Sequence, residues 1–142
     1  MLEAVRGYRA RRILFRGFPV EVVWARCTVG TEELQAFRYA NYGALLALSG
    51  PSRLVRDGAA RIAQGASFPD PENLRRDIEG IVERLRKSKG DIPGDLIAVD
   101  AGDGAYVLVE GHKRATAHCV VGTETIGVMI GSSPGVRGWK LY

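Results

Sequence analysis

Val107-Leu108-Val109-Glu110-Gly111-His112-Lys113-Arg114-Ala115-Thr116-Ala117 decides how this chain reads. Apolar residues run as a strand into Glu110. Gly111 breaks the run, and a basic triplet opens a helix. A helix N-terminus carries about half a positive charge and exposes unpaired backbone N–H groups. His112, Lys113 and Arg114 are therefore the wrong sign for helix stability. An external anion, most often phosphate, held by those N–H groups and the cations together accounts for them.

Working outward, Leu96–Asp100 reads as a strand and Ala101–Gly104 as a turn. Tyr106–Val109 is the second strand of a hairpin. Asp100 and Asp103 fit turn chemistry better than metal ligation. Lys113–Val121 reads as a short helix and Thr125–Ile130 as a further strand. Upstream, Asp70 is read as a cap and Pro71 as the first position of the clearest helix. Leu74, Ile78, Ile81, Val82 and Leu85 form its apolar stripe. Arg84, Arg86, Lys87 and Lys89 load its C-terminal end, where the helix dipole already favours them, and Gly90 ends it.

The first half is less patterned. Residues 1–12 form a basic arm, and Val20–Arg26 is β-branched and aromatic, as strands are. Thr31 with Glu32 and Glu33 starts a helix with a hydroxyl cap, and Gly43 splits the segment that follows. Tyr39 and Tyr42 fit packing better than ligand binding. Ser52 is the expected N-cap of a helix running to Gln64, with Arg53 in its first turn. Arg53 is either paired with Asp57 or a second anion contact. Residues 131–142 form a tail, with a flexible loop at 131–135 and Trp139, Leu141 and Tyr142 as its anchor.

The chain has 142 residues, enough for one domain. The order of elements predicts a single α+β (mixed α/β) domain, a small mixed sheet flanked by helices. The net charge is +4 and the pI about 9.3. That permits nucleotide or nucleic-acid partners, and the lack of a dense basic stripe with interleaved aromatics favours the small anion. Cys27 and Cys119 form no motif and read as free thiols in a reducing compartment. His112 and His118 lie six residues apart, poor spacing for a shared metal. No apolar run approaches the roughly 18 residues of a membrane span. A cytoplasmic protein with no membrane partner is expected.

The segment from about residue 70 to 130 resembles the fold shared by the N-terminal domain of the partition protein ParB and by sulfiredoxin. A capped helix and two strands lead into Gly111-x-x-Arg114, which opens a helix followed by a strand. The resemblance implies that this turn binds nucleotide phosphates, with Gly111 allowing close backbone approach and Arg114 clamping the phosphate. Sulfiredoxin has its catalytic cysteine where this chain has His112, so sulfinic-acid reduction is excluded. Partition proteins carry Glu-Arg where His112-Lys113 stands, and continue into DNA-binding and dimerisation regions; centromere binding is not expected here. Glu110-Gly111-His112-Lys113-Arg114 is most similar to the free-serine kinases of this fold. That likeness implies Glu110 as a magnesium ligand or as a base toward an acceptor hydroxyl.

Three readings follow. In the first, the chain transfers a phosphoryl group from ATP or another nucleotide, with magnesium, to a small hydroxyl-bearing molecule. Glu110 and His112 are then catalytic; Gly111, His112, Lys113 and Arg114, with Ser52 and Arg53, bind phosphate. In the second, the same site serves a non-catalytic nucleotide- or nucleic-acid-binding regulator. In the third, Glu110 pairs with Lys113 or Arg114 and the turn is structural.

Overall fold

The computed structural model describes residues 12–88 and 94–142. The basic arm up to residue 11, Lys89 and Gly90 lie outside them. Among the described residues, four strands and five α-helices form a mixed α+β domain, as the order of elements predicted. The strands are β1 (Val23–Gly30), β2 (Leu96–Asp100), β3 (Val107–Glu110) and β4 (Thr125–Ser132). The helices are α1 (Thr31–Gln35), α2 (Gly43–Ser49), α3 (Val55–Ala63), α4 (Leu74–Lys87) and α5 (His112–Val121).

The sheet order is β1-β4-β2-β3. β4 is antiparallel to β1 and parallel to β2, while β2 and β3 form the antiparallel hairpin. The hairpin turn is held by the Asp100 carboxylate, which accepts from the N–H groups of Gly102, Asp103 and Gly104 at 2.8, 3.2 and 3.2 Å. β2 is buried along nearly its whole length, which its continuous apolar run anticipates. The outer edge of β3 is capped by Arg38, whose N–H donates to the Tyr106 carbonyl at 2.9 Å. The Arg38 carbonyl in turn accepts from Leu108 N at 2.9 Å.

α5 lies at the centre of the helical layer, packed against α3 and α4. Three of its four buried residues, Ala115, Thr116 and Ala117, are small, so neighbouring backbones approach closely, and the fourth is His118. The apolar stripe of α4 (Leu74, Ile78, Ile81, Val82 and Leu85) is buried as its period requires. Tyr39 is fully buried and its hydroxyl bonds Thr116 Oγ1 at 2.5 Å. Thr116 donates onward to the His112 carbonyl at 2.8 Å, so the phenol must be the donor. This chain of bonds ties the 37–42 segment to the first turn of α5.

Several element boundaries differ from the sequence expectation. The first strand begins at Val23, not Val20, because it exists only where it pairs with β4, from Val23 opposite Ser132 to Gly30 opposite Thr125. Val20 is fully exposed. Thr31 is not a cap: it is the first residue of α1, and its hydroxyl donates to the Thr123 carbonyl. α4 begins at Leu74, so Pro71 lies before the helix. Asp70 still serves that helix from outside, accepting from Leu74 N at 2.7 Å and Arg75 N at 3.0 Å. Residues 131–135 are not a loose loop: β4 continues to Ser132, and Pro134–Gly138 is a 3-10 helix. Trp139 is buried beyond it, stacked on Phe15 with ring centroids 6.4 Å apart, and its indole N–H donates to the Leu14 carbonyl at 2.7 Å.

Gly111 makes the passage from β3 to α5. Its φ is +89°, a conformation costly for any residue with a Cβ. A Cβ there would also lie 2.5 Å from Leu96 Cδ2, in the core. Gly111→Ala should therefore lower stability by about 2–4 kcal/mol, from backbone strain and overpacking together. The check is a urea titration: the midpoint should fall with the slope unchanged.

Candidate functional site

The turn at Gly111 delivers the first turn of α5 to an open cleft of about 880 Å³. Glu110, Gly111, His112, Lys113 and Arg114 all line it. Tyr42 at the start of α2, Glu72 before α4, and Trp139 and Leu141 from the C-terminal segment line it as well. No side chain caps the N-terminus of α5. The Gly111 N–H is occupied by the Glu110 carboxylate at 3.3 Å, and the first intrahelical bond runs from Ala115 N to the Gly111 carbonyl at 2.8 Å. The N–H groups of the first turn are thus left for an anion or water.

The three basic residues have different fates. Lys113 reaches α4, and its Nζ lies 2.6 Å from Asp77 Oδ2. The hydrogen bond and charge of Lys113 hold the Asp77 carboxyl below the usual carboxylate range. Arg114 folds back over Gly94 and Gly111, donating from Nη2 to the Asp95 carbonyl at 3.2 Å. A Cβ at Gly94 would lie 2.6 Å from Arg114 Nη1, so the glycine leaves room for the guanidinium.

His112 supplies no positive charge near neutrality, which corrects the expectation of a cationic phosphate ligand. Burial pulls its pKa from 6.5 down to about 4, against the opposing pull of the Leu108 carbonyl. Its Nε2 lies 3.1 Å from that carbonyl and 3.4 Å from Ala40 N. One nitrogen cannot donate to the first and accept from the second at once, so the tautomer selects the partner. Burial, with the nearby Arg114 charge, also lowers the pKa of His118, whose Nδ1 lies 2.7 Å from Thr123 Oγ1.

Glu110 is not paired with Lys113 or Arg114. Its carboxylate turns to the adjacent Gly111 N–H, and the cation expected for it is taken by Asp77. The purely structural pairing read from the sequence is thereby replaced by a bond between α4 and α5 that no local spacing reveals.

Ser52 and Arg53 do not join this site. Ser52 is not the N-cap, since α3 begins at Val55 after Leu54; its oxygen accepts from Leu54 N at 3.1 Å and its hydroxyl donates to Asp57. Arg53 has φ +61° and turns its guanidinium inward. It donates to the carbonyls of Tyr39 at 2.9 and 3.1 Å, Tyr142 at 3.1 Å and Leu141 at 3.3 Å. The second anion contact is replaced by a strut, because four donor contacts to backbone oxygens occupy the fork that a phosphate would need.

Sequence reasoning missed Asp77, Glu72 and Trp139 as members of this region. Asp77 sits on the polar side of an ordinary amphipathic helix, and Glu72 in a loop. Neither carries a local signal. Tyr42, for which packing was preferred over ligand binding, lines the cleft, and its hydroxyl donates to Glu72 Oε1 at 3.1 Å.

Among the described residues no group of three or more His, Cys, Asp or Glu side chains could hold a metal ion by itself, and no helix is long and apolar enough to cross a membrane. No family model, curated protein or solved structure matches this chain.

The neutral state of the partly buried His112 gives a pH dependence. A folded pKa of about 4 against 6.5 unfolded means the unfolded chain binds the extra proton between those values. Stability should be complete above about pH 6.5 and fall progressively toward pH 4, with His112 contributing up to about 3 kcal/mol of the loss. Denaturant titrations at pH 7.5 and 4.5 measure this. His112→Gln should shrink the difference, leaving the same-signed part due to His118.

Proposed function

We propose that this chain binds a nucleotide by its phosphates at the first turn of α5 and transfers a phosphoryl group to a small hydroxyl-bearing molecule. One observation carries the proposal. The Gly111 turn brings uncapped N–H groups, the Arg114 guanidinium and the Glu110 carboxylate to one cleft. Phosphoryl transfer asks a protein mainly to position its reactants and neutralise charge. The sequence resemblance of this turn to the Gly-x-x-Arg phosphate site of the ParB and sulfiredoxin fold supports the same reading.

In this reading Arg114 and the α5 N–H groups hold the phosphates. Glu110 takes the proton of the acceptor hydroxyl. The hydroxyl oxygen forms a bond to the terminal phosphorus, the bridging P–O bond breaks, and the nucleoside diphosphate leaves with the electron pair. Magnesium is a hard cation that keeps waters and substrate phosphates, and needs only one or two protein carboxylates. With Glu110 kept as the base, Glu72 on the cleft wall suits that modest demand, and the ion would supply charge neutralisation at the phosphates.

Magnesium–ATP should raise the melting temperature, since a ligand that binds only the folded state stabilises it by RT ln(1 + [L]/Kd). Arg114→Ala should abolish the shift. Glu110→Gln should keep most of it while removing phosphoryl transfer to a panel of hydroxylated acceptors. Binding that survives with no turnover in the parent chain would instead indicate the non-catalytic regulator. Loss of that binding in steep log-linear proportion to salt would indicate a nucleic-acid ligand.

The Lys113–Asp77 pair supplies a test of opposite sign. In the free protein Asp77 competes with a phosphate for Lys113. Asp77→Asn should release Lys113 and tighten nucleotide binding by roughly two- to tenfold, given the modest worth of a half-exposed charge contact. Isothermal titration of the variant and parent side by side decides it; an unchanged or weakened affinity would place Lys113 outside the phosphate site.

A further inference from the structure

The cleft at α5 has a second, apolar part that phosphate binding leaves unused. It is walled by Leu14 and Phe15 from the segment before β1 and by Trp139 and Leu141 from the segment after β4. The two parts are continuous. Asn41 N donates to the Leu141 carbonyl at 2.7 Å, and the adjoining Ala40 N lies 3.4 Å from His112 Nε2. Its floor consists of core residues, with Leu45, Leu74, Ile81 and Val109 each 5–8% exposed and all lining the cleft. The volume of about 880 Å³ falls within the range of roughly 300–1,000 Å³ common for small-molecule sites.

We infer that this apolar part is a base pocket that holds a nucleobase by burial alone, so that the nucleotide is not selected by its base. The inference rests on the phosphate reading above. Base discrimination requires hydrogen-bonding groups aimed at the base edge, and among the described residues the side chains of Leu14, Phe15, Trp139 and Leu141 offer none that is free. The side chains of Leu14, Phe15 and Leu141 have none. Among these four residues the one polar side-chain atom, the Trp139 indole N–H, is spent on the Leu14 carbonyl at 2.7 Å. The Leu141 carbonyl accepts from both Asn41 and Arg53. Every base presents an apolar, polarisable body, so a pocket of this kind accepts purines and pyrimidines alike.

The test uses the full chain with Trp24→Phe. Trp24 packs beside Gly131 on the sheet, and its replacement leaves Trp139 as the sole tryptophan. Magnesium complexes of ATP, GTP, CTP, UTP and tripolyphosphate are titrated while Trp139 emission and binding are recorded. The four nucleotides should bind within about threefold of one another and each about tenfold or more tighter than tripolyphosphate, and only the nucleotides should alter Trp139 emission. Leu141→Ala should weaken the nucleotides and leave tripolyphosphate unchanged. Discrimination among bases beyond about tenfold, or tripolyphosphate binding as tightly as ATP with Trp139 emission silent, would overturn the base pocket while leaving the phosphate reading standing. Absence of binding by all five, tripolyphosphate included, would overturn both.

Discussion

A strand and a helix meet at Gly111, and the geometry of the molecule depends on that turn being made in the smallest space available. The residue combines a left-handed backbone with contact against Leu96, which is fully buried in β2. Either condition alone disfavours a side chain. Together they fix where β3 stops, where α5 points, and which N–H groups face the cleft. The rest of the helical layer then follows, because α5 is the element against which α3 and α4 pack.

The charges at the start of α5 look unfavourable in isolation and are largely compensated in the fold. Lys113 finds Asp77 on α4, His112 is kept neutral by burial, and Arg114 leans on the Asp95 carbonyl. An external anion would therefore not meet three uncompensated cations at this helix start. It would meet one guanidinium and an uncapped helix end, with a carboxylate in the same cleft. A bidentate fork beside aligned N–H groups suits phosphate geometry.

The two ends of the described chain contribute more than their composition suggests. Trp139, stacked on Phe15 and bonded to the Leu14 carbonyl, joins the 3-10 turn before β1 to the segment after β4. Arg53 secures the same segment through the Leu141 and Tyr142 carbonyls. Arg53 thus borders the cleft only through the backbone it holds. A basic residue at a helix start can serve as a carbonyl clamp as readily as an anion clamp, and local sequence does not separate the two.

The periodic elements were legible because their signals are local. The stripe of α4, the apolar run of β2, the hairpin with its Asp100 turn, and the strand–glycine–helix passage at 107–117 each declare themselves within a dozen residues. Glu110, Gly111, His112, Lys113 and Arg114 were brought to one cleft by that same contiguity. What lay beyond the sequence was set by partners distant along the chain. The start of β1 was fixed by pairing with β4, about a hundred residues away, and Thr31 was drawn from capping by the Thr123 carbonyl. Asp77 claimed Lys113 across 36 positions, and Arg53 turned toward the C-terminal carbonyls across nearly 90. The sequence by itself determined the elements and the turn, because backbone propensity and apolar period are short-range properties. Only the tertiary structure decided which charges remain available to a ligand, because burial and ion pairing depend on groups that meet only after the chain has folded.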